Sequence, residues 1–229
     1  MSGRGFTAIV PMKGNSQRVP GKNVRPIAGK PLYHWITEEL VAARCVDRIV
    51  IETDADHIAE DARRNFPDAV VLRRPDRLKG DTVSMNDLLA WHQTQLGGER
   101  FIQTHATNPM ITASTFDAAA AAFEEPGLHD SLFSVNRWQT RLYYGDGTPL
   151  NHDPEVLIQT QDLEPLYEEN SCLYVFTRAS FAKKGRRIGE HPKLFETPPF
   201  ESIDIDEEKD FTLAEFLIQQ RESGKAGHE

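Results

Sequence analysis

The chain has 229 residues, 39% of them hydrophobic and 27% charged, which suits one folded domain with a substantial core. A net charge of −9 argues against general affinity for nucleic acid or anionic membranes, so a binder of polyanionic small molecules must gather its cations locally. Cys45 and Cys172, far apart and without metal-ligand spacing, argue against a disulfide framework or a zinc site.

The first residues, Met1 to Gly5, carry no apolar stretch of a signal peptide, and no run approaches the roughly 18 apolar residues that span a bilayer. The expected compartment is therefore the cytoplasm. Residues 6–10 read as a buried strand ending at Pro11. From Pro31 to Arg44, the residues Leu32, Trp35, Ile36, Leu40 and Ala43 share one helical face, with Pro31 suited to the first helical position. Residues 48–51 form a second strand, and Asp54 is placed to cap a helix running to Asn65. Residues 69–72 form a third strand. Met85, Leu88, Leu89, His92 and Leu96 mark another helix, followed by a strand over 101–103, an alanine-rich helix over 114–124 and a strand over 131–135. Strands alternating with helices through short links predict an α/β fold, a mostly parallel, doubly wound sheet with helices on both faces.

The pattern breaks between Arg137 and Asn170, where Gly145, Gly147, Pro149, Pro154 and Pro165 interrupt every periodic run. This stretch is too long for an ordinary connection. Trp138, Leu142, Tyr143, Tyr144 and Tyr167 give it apolar surface to bury, so residues 137–170 read as an arm inserted within a single domain spanning 1–229. The α/β pattern resumes with strands over 173–176 and 202–206. It closes with a helix bearing Phe211, Ala214, Leu217 and Ile218.

Between Pro11 and Lys30 lie three glycines and five cations, Lys13, Arg18, Lys22, Arg25 and Lys30, with no acid. Glycine lets backbone N–H groups approach an anion, the cations neutralise it, and a loop leaving the carboxyl end of a strand is where open α/β sheets bind ligands. The spacing matches neither the NTPase phosphate loop nor the dinucleotide fingerprint. Two readings stand on composition: a phosphate-binding loop or a solvated basic surface. Farther on, Glu201-Ser-Ile-Asp-Ile-Asp206 alternates polar and apolar residues, so Asp204 and Asp206 are expected on one face of a strand, with Ile203 and Ile205 buried. Two such carboxylates suit a Mg²⁺ ion on a phosphate substrate, or form the solvent-facing acidic end of a strand.

The basic loop strongly resembles the signature of the acylneuraminate cytidylyltransferases, the CMP-sialic acid and related synthetases, whose usual form is Ala-Arg-x-x-Ser-Lys-x-Leu/Ile-Pro-x-Lys-Asn. Asn15, Ser16, Pro20, Lys22 and Asn23 match it, and Lys13 stands in the place of the family's arginine, keeping the charge while losing the planar fork. The resemblance implies a Rossmann-like nucleotidyltransferase that transfers CMP from CTP to an acidic acceptor, most simply a sialic-acid-like nonulosonate. Lys13, Lys22, Asp204 and Asp206 would then be catalytic, the two aspartates also holding Mg²⁺. Pro11, Met12, Gly14, Asn15, Ser16 and Asn23 would line the nucleotide.

Val71-Leu-Arg-Arg-Pro and residues 80–84 look like the family's second nucleotide segment, placing Arg73 and Ser84 near base and ribose. On their own residues, Arg73 and Arg74 read as solvated cations, and Asp81-Thr82 as a cap of the following helix. Gln103, at a strand end, stands where the family places a glutamine near sugar and nucleotide. The following Thr104-His-Ala-Thr-Asn-Pro109 is longer than the family's Pro-Thr-Ser-Pro and departs from it, and there His105 is a candidate ligand contact, although a lone histidine is more often packed or solvated. In the arm, Gln159-Thr-Gln161 stands where the family often has Gln-x-Arg, so Gln161 replaces the cation that meets the sugar carboxylate. Arg137 or Arg141 is the expected substitute. Asn170, before Ser171-Cys-Leu-Tyr174, resembles the strand that follows the family's arm. The resemblance also implies a homodimer built through the arm. Alternatives of the same chemistry are a 3-deoxy-octulosonate or phosphonate cytidylyltransferase. A sugar-1-phosphate pyrophosphorylase is a related nucleotidylyltransferase, and a different class of answer is a non-catalytic nucleotide-sensing module.

Overall fold

The computed structural model describes residues 5–16 and 18–226, with side chains to residue 224; residues 1–4, read above for a leader, lie outside it. The chain runs β1 (Phe6–Met12), β2 (Pro26–Ile27), β3 (Lys30–Pro31), α1 (Leu32–Ala42), β4 (Val46–Thr53), α2 (Asp56–Asn65), β5 (Val70–Arg73) and α3 (Met85–Gln95). It continues through β6 (Arg100–Thr104), α4 (Ala113–Glu124), β7 (Ser131–Trp138), β8 (Leu166–Thr177), α5 (Arg178–Lys184), β9 (Pro192–Glu196) and α6 (Glu208–Ala226). Among the described residues, seven strands form one sheet in the order β5-β4-β1-β6-β8-β7-β9. All neighbours are parallel except those of β8, which runs antiparallel to both β6 and β7.

Every residue of β1 is buried, as a central strand covered on both faces requires. Ala8, Val10 and Met12 pack with Tyr33, Ile36 and Leu40 of α1, Ile58 of α2 and Phe116 of α4. Ile9 turns the other way, to Leu89 of α3 and Phe181 of α5. A third cluster, with Ile27, Trp35, Ile205, Phe211 and Ile218, seats α6 behind the basic loop. Ser84 and Asp87 close a capping box on α3, and Thr177 with Ser180 does the same for α5.

Four local expectations are corrected. Pro31 occupies the N-cap of α1, one residue before the first helical position, because it pairs with Pro26 in the β2–β3 hairpin. Asp54 does not cap α2, whose N-cap is Ala55 with no side-chain bond; its carboxylate is taken by the N–H of Gly14 at 2.6 Å. Residues 202–206 make no ladder with the sheet; they are held extended by other bonds described below. The helix after residue 84 is capped by Ser84 itself, and Asp81 pairs instead with Lys13.

The inserted stretch begins as a β ladder. Val135↔Glu169, Asn136↔Glu168, Arg137↔Tyr167 and Trp138↔Leu166 extend β7 and β8 beyond the sheet, and residues 139–165 form the irregular excursion between them. Leu163 is buried, but Trp138, Tyr143, Tyr144, Leu157 and Tyr167 are exposed, Leu157 by 90%. The apolar surface read in the sequence is thus left largely uncovered by the chain's own fold.

Candidate active site

The carboxyl ends of β1, β4, β5 and β6 lie along one rim of the sheet, and the amino end of β8 joins them because that strand is reversed. The basic loop leaves this rim at Met12. Asn23 is buried and donates through Nδ2 to the Lys13 carbonyl at 2.8 Å, which ties the two ends of the loop together. Gly21, in the left-handed region at φ 65°, turns the chain into the short 3-10 turn over Lys22–Val24. Gly14 is required by proximity: a Cβ there would lie 2.5 Å from the Ala55 Cβ.

The five cations that looked unbalanced along the sequence meet acids in space. Lys13 pairs with Asp81 at 2.9 Å, Arg18 with Asp206 at 2.7 Å, Arg25 with Glu208 at 2.6 Å, and Lys30 with Glu38 while covering the Trp35 ring. Lys30 and Arg25 are thereby tied to helices and drawn away from the loop's tip. Lys22 differs from the rest. It is buried, donates to the Ile205 carbonyl, and lies 3.5 Å from Asp206. Of the residues expected to line a nucleotide, Pro11 and Met12 are buried in β1 and Ser16 accepts a long bond from the Val19 N–H, while Asn15 is exposed.

Residues 203–206 are fixed across this loop by three bonds. Ile205 donates its N–H to the Thr107 carbonyl at 2.9 Å, Asn108 donates to the Ile203 carbonyl at 3.3 Å, and Lys22 takes the Ile205 carbonyl. Asp210 accepts the N–H groups of Asp206 and Glu207, anchoring the turn into α6. With Ile205 buried, Asp204 and Asp206 fall on its other side, as the alternation implies. Burial, with Asp206 adding to it, pushes the Asp204 carboxyl above its ordinary value, and its Oδ1 is buried without a hydrogen-bond partner among the described residues.

Beside the aspartates, Gln103 is fully buried at the end of β6 and His105 lies 3.1 Å from it. Burial, together with Arg187 and Lys22, pushes the His105 imidazole down to about 3, so it stays neutral over the physiological range. Arg187, a residue not singled out in the sequence, donates to the Gln103 side-chain carbonyl and stacks on Tyr174 with its guanidinium 3.4 Å from the ring centre.

The remaining expected acceptor contacts are not gathered here. Arg141 donates to the Ile158 carbonyl and to Thr160 within the arm, and Gln161 bonds Gln159. Arg137 is exposed on β7. Asn170 is buried, bridging Asn136 at 3.0 Å and Thr197 at 2.7 Å.

The ends of β4 and β5 hold a second unexpected feature. Arg73 pairs with Asp56 at 2.8 Å on the rim, but Arg74 is no solvated cation: only 4% of it is exposed. It grips the wholly buried Glu52 with bonds of 2.6 and 2.8 Å and reaches the Met12 carbonyl at 3.3 Å. Buried His92 lies 3.7 Å from the same carboxylate. The strand register dictates this contact, because Thr53 pairs with both Met12 and Arg73 and thereby lines up the ends of β1, β4 and β5. A separate depression of about 400 Å³, lined by Leu40, Val46, Phe66 and Ala69, opens at the amino end of β4 and shares none of the site residues.

Among solved structures, the fold is similar to a CMP:2-keto-3-deoxy-manno-octonic acid synthetase complexed with CTP, with a TM-score of 0.70 at 14% identity over 95% of this chain and 99% of that one. By sequence, the chain is 28% identical over 219 residues to the N-acylneuraminate cytidylyltransferase of Oncorhynchus mykiss, covering 93% of this chain but 50% of that protein. It thus spans about half that relative's length. It is also 28% identical over 227 residues to the CMP-N,N'-diacetyllegionaminic acid synthase of Legionella pneumophila, covering 93% of this chain and 95% of that protein. A cytidylyltransferase family model matches residues 7–223, and with nearly the whole length so matched, the chain belongs to the cytidylyltransferase family.

Proposed function

We propose that this chain transfers CMP from CTP to an acidic acceptor, a sialic-acid-like nonulosonate, with release of pyrophosphate. The observation that carries this reading is the position of Lys22, which is buried, bonded to the Ile205 carbonyl and 3.5 Å from Asp206. It joins the basic loop and the aspartate pair into one site.

In this reading, the acceptor oxygen attacks the α-phosphorus in line. A new P–O bond forms as the bond to the pyrophosphate oxygen breaks, and the hydroxyl proton passes to water. Lys13, Lys22 and the backbone N–H groups of Asn15 and Ser16 hold the triphosphate and stabilise the charge that grows on pyrophosphate. Lys13 and Arg18 exchange their partners Asp81 and Asp206 for phosphate as CTP binds. His105, neutral beside Gln103, orients the acceptor by hydrogen bonding. The chain supplies positioning and electrostatics, with no protein nucleophile.

Asp204 and Asp206 fit a Mg²⁺ ion. They are paired hard oxygen donors, and one buried carboxylate oxygen of Asp204 lacks any other partner among the described residues. When bound, the ion supplies charge neutralisation at the α-phosphate.

The test is pyrophosphate release with each of the four nucleoside triphosphates against N-acetylneuraminate, a legionaminate-type nonulosonate, a 3-deoxy-octulosonate and a phosphonate. We expect CTP to be preferred, a nonulosonate other than N-acetylneuraminate to be the best acceptor, and turnover to require Mg²⁺. Release without CTP preference, or none with any acid, overturns the reading.

A further inference from the structure

We propose that Arg187 is the residue that receives the carboxylate of the acceptor, in place of a cation from the arm; this rests on the cytidylyltransferase reading. Arg187 follows α5, whose C-cap Gly185 lies in the left-handed region at φ 65° and ends the helix. Its N–H donates to Asn86 Oδ1 at 3.2 Å in the first turn of α3, which fixes the backbone. Gln103 and Tyr174 are register partners on β6 and β8, and the guanidinium lies over both. The side chain is only 16% exposed.

A cation so enclosed needs a counter-charge, because an uncompensated buried charge is costly. Among the described residues the one carboxylate in ion-pair range is Glu169, whose oxygen is 3.9 Å away, beyond hydrogen-bond distance. That carboxylate already accepts from the Tyr174 hydroxyl and has a side chain 43% exposed. Tyr174 covers one face of the guanidinium and Gln103 takes one of its N–H groups, leaving the fork geometry suited to a bidentate carboxylate.

Location agrees with chemistry. Gln103, which Arg187 bonds, lies 3.1 Å from His105, and two residues farther along the Thr107 carbonyl takes the N–H of Ile205, the residue between the two aspartates. An acid held by Arg187 therefore presents its hydroxyl groups past His105 toward the aspartates. Arg141 instead has its guanidinium bonded to the Ile158 carbonyl and Thr160 inside the arm.

The experiment compares full-length wild type, Arg187→Ala and Arg187→Lys with CTP and the best acid of the panel. The same acceptor as its methyl ester is run in parallel. We expect Arg187→Ala to raise the acceptor KM roughly 100-fold, as loss of a desolvated charge pair does, while the CTP KM changes less than about twofold. The lysine variant recovers part of the loss, and wild type and Arg187→Ala use the ester equally poorly. Thermal melting of both variants guards against misfolding, with Arg187→Lys carrying the comparison if the alanine variant unfolds. If wild type turns over the acid but Arg187→Ala keeps its acceptor KM and its preference for acid over ester, this assignment fails alone. It fails equally if Arg141→Ala carries the loss instead. If wild type turns over no acid at all, the cytidylyltransferase reading fails first and takes the assignment with it.

Discussion

Replacing Arg74 by methionine removes the cation from a pair in which Glu52 is wholly buried, and the lost bonds are those of 2.6 and 2.8 Å to its carboxylate. A carboxylate left in that position without its partner costs about 3–5 kcal/mol. For 229 residues, at an unfolding entropy of about 2.1 cal/mol/K per residue, about 4 kcal/mol corresponds to a fall in Tm of about 8 °C. Replacing both residues, Arg74→Met with Glu52→Leu, removes the buried charge altogether and should recover most of that loss.

Activity should not recover. In both variants the Met12 carbonyl loses the guanidinium that holds the mouth of the basic loop at 3.3 Å, so the CTP KM should stay raised. Calorimetry and steady-state kinetics on the two singles and the double provide the cycle. A single Arg74→Met variant with unchanged Tm, or a double variant no more stable than the singles, would refute the argument. So would a double variant with a normal CTP KM.

Three further outcomes are expected. Gly14→Ala forces a Cβ to within 2.5 Å of Ala55 and should raise the CTP KM at least about tenfold, with Ala55→Gly in the same chain restoring it. Asp204→Asn should cut kcat by several orders of magnitude while raising Tm at neutral pH. Its carboxyl is held above the ordinary value, so the folded state loses stability as pH rises from about 4 through that raised value, and the variant's Tm advantage should vanish in acid. Finally, the exposed aromatic and aliphatic residues of the arm should pack in a homodimer; light scattering should give twice the 25.9 kDa chain mass at micromolar concentration, and a monomer there would count against it.

The class of fold was legible because burial on two faces writes short apolar runs into β1 and into residues 49–51 of β4, and because the apolar spacing of α1 has the helical period, although α1 is buried against two clusters rather than along one stripe. The site was legible in its charged loop and in the Asp204–Asp206 alternation. That alternation, however, reports only an extended backbone: a two-residue period looks the same whether the partner is a strand or, as here, the Thr107 carbonyl and Lys22. Arg74 and Arg187 were not legible. A guanidinium reads as surface until its partner is known, and these partners, Glu52 and Gln103, lie 22 and 84 residues away. Asp54 has the residue type of a helix cap, but the tertiary contact with Gly14 takes its carboxylate first.

The reversal of β8 separates the parallel part of the sheet from the hairpin that carries the inserted stretch. The loops after β1, β4, β5 and β6 leave the rim from parallel strands and lead into crossover helices. The antiparallel β7–β8 pair instead opens outward from the rim as a free hairpin, with Asn136, Asn170 and Thr197 clasping its base. The register of Gln103 against Tyr174 lies on the sheet side of that clasp. The peripheral hairpin is thus joined to the sheet through β7 and β8 alone, while β1 and β6, the strands that lead into the basic loop and His105, are paired on both sides.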